Sequence, residues 1–230
     1  TESITTSRFQ TSNSNYNLDQ RRQILEVLDC AFSPFNVRFT TNPNQSQNVG
    51  AYAGKLLIGE QMFQIDGSPI AGVFGLGRLN SFAGPLSNPI AVVQWLTDGN
   101  TQAIQSVGLA AVHEIGHTLN LNHKGLLAGG SNPAEEYYTG HFASSSGNWW
   151  APNMGINTSF GMGNFSQWSK GDYRKNNRVA SNTVDEVASL TTRLGARADD
   201  HPDVITGSHQ NRTVGDGRFV PGVISTRNDV

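Results

Sequence analysis

His113-Glu114-Ile115-Gly116-His117-Thr118-Leu119-Asn120-Leu121-Asn122-His123 is the stretch on which the reading of the chain turns. Histidines four residues apart lie one above the other on a helix face. Their imidazoles can therefore converge on one ion, and Glu114, beside them, is within reach of a water held there. A helix cannot bring a residue ten positions on to the same point. The chain must turn sharply after His117, and Asn120 is the expected corner, because Asn is the non-glycine residue that most readily takes positive φ. With that turn His123 supplies a third nitrogen and leaves a fourth position for water or substrate. With 6 His and 7 Glu in the chain, chance produces this three-histidine pattern in about one sequence in ten thousand. The competing readings are a helical pair satisfied by backbone carbonyls and a purely structural zinc site. Structural sites usually use thiolates and close all four positions, and the single cysteine, Cys30, lies outside the stretch.

Outward from the motif, Ile104, Val107, Ala111, Ile115 and Leu119 form an apolar stripe on a helix expected to begin near Thr101, with His113 nearly opposite Ile115. Upstream, Ile90 to Leu96 is nearly continuous apolar sequence and reads as a central strand. Ala51 to Ile58, Gln61 to Ile65 and Ile70 to Leu76 read as shorter strands. The glycines in the last of these mark a bulge or a close approach of another backbone. Ile24, Leu25, Leu28 and Phe32 give an amphipathic helix over Leu18 to Phe32, on which Cys30 reads as a buried structural residue, and Phe35 to Thr40 alternates as a further strand. Beyond residue 123 periodicity fades until Thr183-Val184-Asp185-Glu186 offers a capping box. There Val184, Val187, Leu190 and Leu194 supply a short helix ended by Gly195. The expected class is α/β in the broad α+β sense. One catalytic domain spans 1–200, with an upper lobe of about 1–123 and a lower lobe of about 124–200, and 201–230 form an extended strap.

Composition limits the partners. Sixteen Lys+Arg against 18 Asp+Glu give a net charge of −2, and charged residues make up 15% of the 230, against roughly 25% in ordinary soluble domains. A polybasic nucleic-acid binder is excluded, and no run approaches the roughly 18 apolar residues of a membrane span. The surface must be polar through Asn, Ser, Thr and Gly, a composition common outside the cell. The start at Thr1 is compatible with a removed signal or pro-segment, and the chain is expected to act as a monomer.

The chemistry follows from the parts. Zn2+ held by three neutral imidazoles lowers the pKa of a bound water towards about 7 and polarises a carbonyl. Glu114 is the general base that takes the water proton and returns it to a leaving amine. Amide hydrolysis is the predicted reaction, with protein or peptide substrates.

His-Glu-x-x-His with a third His six residues later resembles the metzincin clan of zinc endopeptidases. The resemblance implies a five-stranded mixed sheet with a backing helix and an active-site helix, above a small irregular C-terminal lobe with a Met-turn and one helix. Ala151-Pro152-Asn153-Met154-Gly155 is similar to that Met-turn, and Met154 would form an apolar floor under the imidazoles. Met162, in Gly161-Met162-Gly163, competes for the role, but the setting of Met154 is turn chemistry. Phe32-Ser33-Pro34-Phe35-Asn36-Val37 and Gln167-Trp168-Ser169-Lys170-Gly171-Asp172-Tyr173 resemble a group of secreted bacterial metalloproteases, which implies an extracellular location.

By the same resemblance, Val73, Phe74 and Gly75 would line the upper rim of the cleft, while Gly155, Ile156 and Asn157 would line the specificity pocket. Ile156 stands where astacin-like and serralysin-like members carry a zinc-binding tyrosine, so the chain is closer there to adamalysins and matrixins. Lys124 follows the third histidine where several branches have Asp. Tyr137, Tyr138, His141, Trp149 and Trp150 read mostly as lower-lobe core. A zinc-bearing adhesion module that has lost cleavage is the alternative, and Glu114 argues against it. The carboxylates Asp199, Asp200 and Asp203 read as a solvated charge run, with no support for Ca2+ beyond their clustering.

Overall fold

A computed structural model describes residues 4–6, 16–41, 54–59, 63–65, 68–69, 74–82, 90–94, 101–142, 149–155 and 165–197. The N-terminal half runs β1 (Ile4–Thr6), α1 (Leu18–Ala31), β2 (Lys55–Gly59), β3 (Phe63–Ile65), β4 (Ser68–Pro69), β5 (Gly75–Gly77), β6 (Ile90–Gln94) and α2 (Thr101–Thr118). After it come β7 (His141–Phe142), β8 (Trp149–Pro152), β9 (Phe165–Gln167), β10 (Arg174–Lys175), β11 (Arg178–Val179) and α3 (Glu186–Leu194). The class is mixed helix and small sheets, α+β as expected.

The sheet beside α2 has the order β2-β6-β5, with β2 parallel and β5 antiparallel to β6. The apolar run at Ile90 is thus central, with Ala91 and Val93 buried. Among the described residues this sheet has three strands. β3 lies instead in a separate sheet of order β1-β3-β4. Phe35 to Thr40 is not a strand: Phe35 makes an isolated bridge to Ala196, and the rest is irregular. Its alternation has another cause, since Phe35 is fully buried and the Phe39 ring lies 5.4 Å from that of Phe32, so packing satisfies the pattern without a ladder.

α1 opens with a capping box, Asn17 accepting from the Gln20 backbone and the Gln20 side chain accepting from the Asn17 N–H. Ile24 and Leu28 of α1 and Phe32 beyond its end pack with Ile104, Val107, Ala111 and Val112 of α2. The helices meet where a Cβ on Gly108 would fall 2.8 Å from that of Val27. Cys30 is exposed, contrary to the expectation of a buried thiol, because it lies off the stripe on the solvent side of α1.

Segments after residue 123 join this core. Met154 and Leu190 belong to it, and Trp168 packs edge-on to Phe32 while its Nε1 donates to the Ala31 carbonyl at 2.6 Å. A second cluster gathers Leu126, Tyr138, Tyr173 and Ala180, with Trp150 against it. α3 starts later than expected. Asp185, not Thr183, is its N-cap, accepting from Ala188 N, and Glu186 is buried while Val184 and Val187 face solvent. Gly195 ends α3 with φ 78, as the sequence implies. No described helix is long and apolar enough to cross a membrane.

Candidate metal centre

α2 ends as the sequence requires. Asn120 takes φ 68, Asn120 N donates to His117 O, and Leu121 N donates to Gly116 O at 3.0 Å. This pair of bonds is a Schellman motif with Asn at the left-handed position. It has a direct consequence for the site. The reversal brings the Leu121 carbonyl to 2.8 Å from His117 Nδ1, which donates to it. Residues 80 to 82 cap the same helix end, Asn80 N and Phe82 N donating to His117 O and Thr118 O.

One ring nitrogen from each of His113, His117 and His123 lies within 4.8 Å of the others. Each Nδ1 is committed elsewhere: His113 donates to Asn153 O at 2.9 Å, His117 to Leu121 O, and His123 to the Glu136 carboxylate at 2.7 Å. With Nδ1 protonated, Nε2 carries the lone pair. The Nε2 atoms of His117 and His123 are 2.9 Å apart, a separation at which two lone pairs repel unless a cation lies between them. Tetrahedral zinc with nitrogen at 2.0–2.1 Å sets its ligands about 3.3 Å apart, between the 2.9 Å of this pair and the 4.8 Å that bounds the whole set, so the three donors suit zinc once the rings close on the ion. Burial and the neighbouring imidazoles push His113 down to about 3 and also lower His117, which keeps both rings in the neutral form a metal requires.

Glu114 is buried beside them. Burial pushes its carboxyl up to about 8, and a backbone hydrogen bond from Gly77 opposes that shift. β5 runs against this part of α2. A Cβ on Gly75 would fall 2.5 Å from Glu114 Cγ, and one on Gly77 would overlap the Glu114 backbone carbonyl and lie 3.0 Å from His117 Cβ. Of the two glycines in Ile70 to Leu76, Gly75 is approached by the Glu114 side chain and Gly72 lies outside the described residues; the close backbone approach falls at Gly77. Gly75, Leu76, Gly77 and Leu79 then form one wall of a cleft of about 360 Å³ whose other walls are the three histidines, Glu114, Asn122 and Tyr137.

Pro152-Asn153-Met154-Gly155 is a turn, Gly155 N donating to Pro152 O at 2.9 Å. Met154 is fully buried, and a Cβ on Gly116 would meet its sulfur at 2.5 Å. The methionine therefore lies against α2 at Gly116, admitted by the missing side chain there. Gly155 is buried too and is not among the residues that line the cleft. Phe74 is exposed at the start of β5. Val73, Ile156, Asn157, Met162 and Asp199 to Asp203 lie outside the described residues.

Tyr137 departs from expectation. Its ring is 4.2 Å from that of His123 and 6.2 Å from that of His113, at the cleft and not in the lower core. Tyr138, His141 and Trp150 do form an aromatic cluster, with the Tyr138 hydroxyl bonded to His141 Nδ1 and Tyr138 stacked on Tyr173. Sequence reasoning missed two further contributors, Glu136 and Asn182, and gave Lys124 no role. Glu136 meets His123, Asn182 Nδ2 donates to the carbonyls of Asn122 and His123, and Lys124 Nζ reaches the carbonyls of Asn182 and Val184 from a fully buried position. The pairing of 124–126 with 135–138 and the anchoring by 182–184 carry no periodicity, so no local signal announces them. No family model matches the chain, and no curated protein matches it. The likeness to metzincins rests on the motif residues themselves.

Proposed function

We propose that this chain is a zinc-dependent endopeptidase that hydrolyses peptide bonds of protein substrates outside the cell. One observation carries the reading: three imidazoles with their outer nitrogens already hydrogen-bonded point their remaining nitrogens at a common centre, and a buried carboxyl shares the same cleft. A zinc ion held by His113, His117 and His123 would supply Lewis acidity, making a water more acidic and a carbonyl more electrophilic.

The remaining work belongs to the chain. Glu114 takes a proton from the attacking water and delivers it to the departing amine nitrogen. Burial raises that carboxyl in the metal-free chain, and the charge of a bound zinc ion would lower it again, favouring the carboxylate that accepts the proton. β5 is an edge strand among the described residues and forms the cleft wall facing the histidines. An extended peptide pairing with that edge would be carried past Glu114 as an added strand. The same reading takes α1 as backing helix, α2 as active-site helix and the turn at Met154 as the Met-turn of a metzincin-like fold.

The test is cleavage of an unfolded protein substrate by the zinc-loaded chain, with and without a chelator, beside Glu114→Gln. Chelation and the substitution should each abolish cleavage, the substitution by a factor of about 10² or more, with zinc still bound to Glu114→Gln. Stoichiometric zinc with no cleavage across a broad substrate panel would leave the silent binding module instead.

A further inference from the structure

We propose that Glu136 is the positioning residue of the third zinc ligand, its carboxylate fixing the tautomer and ring direction of His123. The inference rests on the zinc reading above and goes beyond it, since neither the His-Glu-x-x-His motif nor the metzincin likeness assigns residue 136 a role.

The three ligands are held by different means. His113 and His117 stand on α2, and their Nδ1 atoms donate to backbone carbonyls. His123 stands on irregular chain after the helix, and its Nδ1 meets a side chain, Glu136 Oε1 at 2.7 Å. A backbone carbonyl is placed by the fold. A side-chain acceptor must be placed by whatever holds its own backbone.

That backbone is held firmly. Leu126 and Glu135 exchange both hydrogen bonds, at 2.8 and 2.9 Å, and Tyr138 N donates to Lys124 O at 2.6 Å. Arg178, itself buried, pairs with the Glu135 carboxylate and donates to Pro133 O. A Cβ on Gly125 would strike the carbonyls of both Glu135 and Glu136, so the two segments lie closer than any side chain at 125 would permit. This short ladder starts one residue after His123 and sets Glu136 beside it. Tyr137, next along, lays its ring against the His123 imidazole. The ligand thus has a carboxylate on its outer nitrogen and an aromatic ring against its side.

Energetics decides what the contact is for. The Glu136 side chain is 67% exposed, and ion pairs so exposed add little to folding stability. An outer carboxylate on a metal-bound histidine acts on affinity instead, and its loss typically costs 10- to 100-fold. The readout is therefore zinc affinity, with the melting temperature of the zinc-free chain as control.

The experiment measures the zinc dissociation constant of the full chain by competition with a chromophoric chelator, for the wild type, Glu136→Ala and Glu136→Gln. Glu136→Ala should bind zinc about 10- to 100-fold more weakly. Glu136→Gln should stay within about threefold of wild type, because its amide oxygen still accepts from Nδ1–H. Both zinc-free variants should melt with the wild type. Glu136→Ala within about twofold of wild type, or Glu136→Gln as weak as Glu136→Ala, overturns the positioning role. The protease reading falls separately: a wild type that binds zinc without cleaving any substrate refutes it and leaves the Glu136 result standing. A wild type that cleaves while Glu136→Ala keeps its affinity refutes Glu136 alone.

Discussion

His113 and His117 reach the candidate metal centre from one side of the molecule and His123 from the other, and the two sides are built differently. The helical pair sits on an apolar core, with Ile104, Val107, Ala111 and Val112 buried behind it, Met154 against Gly116, and β5 packed on Glu114. Helix geometry and van der Waals contact place it, and each ring is oriented by a hydrogen bond to a backbone carbonyl that the fold itself fixes. His123 is placed by polar contacts from distant sequence: Glu136 on its ring, Asn182 on its carbonyl, and Lys124 bonded to residues 182 and 184. Close packing tolerates almost no added volume, whereas a polar anchor can be cut one bond at a time. The two sides should therefore fail differently.

The largest effect is expected on the packed side. Gly77→Ala puts a methyl group onto the Glu114 backbone carbonyl, which cannot move without breaking α2. A loss of about 3 kcal/mol in urea unfolding is expected, with cleavage lost as well. Gly75→Ala is the informative partner, because its methyl group would meet the Glu114 side chain, which can swing away. It should retain most of the stability and zinc while losing cleavage. Equal stability losses in the two variants would show that β5 does not discriminate backbone from side chain, and the packed description of this side would fail.

On the polar side, Glu186 gives the next effect. It is fully buried, accepts from Ser169 N at 2.7 Å, and leaves Oε1 without a partner among the described residues. Burial pushes it up to about 7, with the Ser169 N–H and Lys124 opposing. A carboxyl raised in the folded state contributes stability that is full below its ordinary value, near 4.5, and is lost as pH rises through about 7. In the zinc-free chain Glu186→Gln should thus gain about 2 kcal/mol on the wild type between pH 5 and pH 8. Urea titrations at the two pH values measure it. If Glu186→Gln instead falls behind at pH 8, the attraction of the Lys124 charge outweighs the burial and this anchor works by charge.

The same division explains what could be read from the sequence. α2, its end at Asn120 and the convergence of the three histidines were legible because the i, i+4 repeat and the need for positive φ are local. The turn at Met154 was legible for the same reason, its Pro-Asn-Met-Gly composition being turn chemistry over four residues. The partners of His123 lie 13 residues away at Glu136 and 59 at Asn182, and nothing in a one-dimensional pattern links such positions. Tyr137 reads as core in the sequence because an aromatic beside Tyr138 looks the same whichever way it faces. The start of α3 is ambiguous in the sequence because Thr183 and Asp185 are both good caps. The carboxylate of Glu186 decides it by turning to Ser169 N, which leaves Asp185 as the cap. Phe35 to Thr40 alternates like a strand, yet its phenylalanines are satisfied by packing alone.

Asn182→Ala tests the polar side at one residue. It removes two hydrogen bonds, at 3.2 and 3.1 Å, to the carbonyls of Asn122 and His123. The expected loss is about 1 kcal/mol of stability in the zinc-loaded chain. Zinc affinity should fall with it, because the backbone that carries the third ligand loses its tether. An unchanged affinity beside a normal loss of stability would mean that Glu136 and Tyr137 suffice to hold His123.

The smallest effect is expected at the hinge between the two sides. Asn120 holds φ 68, a conformation that costs most L-residues about 1 kcal/mol and glycine nothing. Asn120→Gly relieves that cost but widens the unfolded ensemble, so the two terms offset and the net change should stay within about 0.5 kcal/mol. Asn120→Ala keeps the cost without the polar side chain that eases it, and should lose about 1 kcal/mol. Neither change touches the contacts that place His123, so zinc affinity should follow the wild type in both. An affinity that drops in Asn120→Gly while stability holds would mean that the stiffness of the turn itself, and not the anchors beyond it, aims the third histidine. The contrast between a packed side and a tethered side would then have to include the corner that joins them.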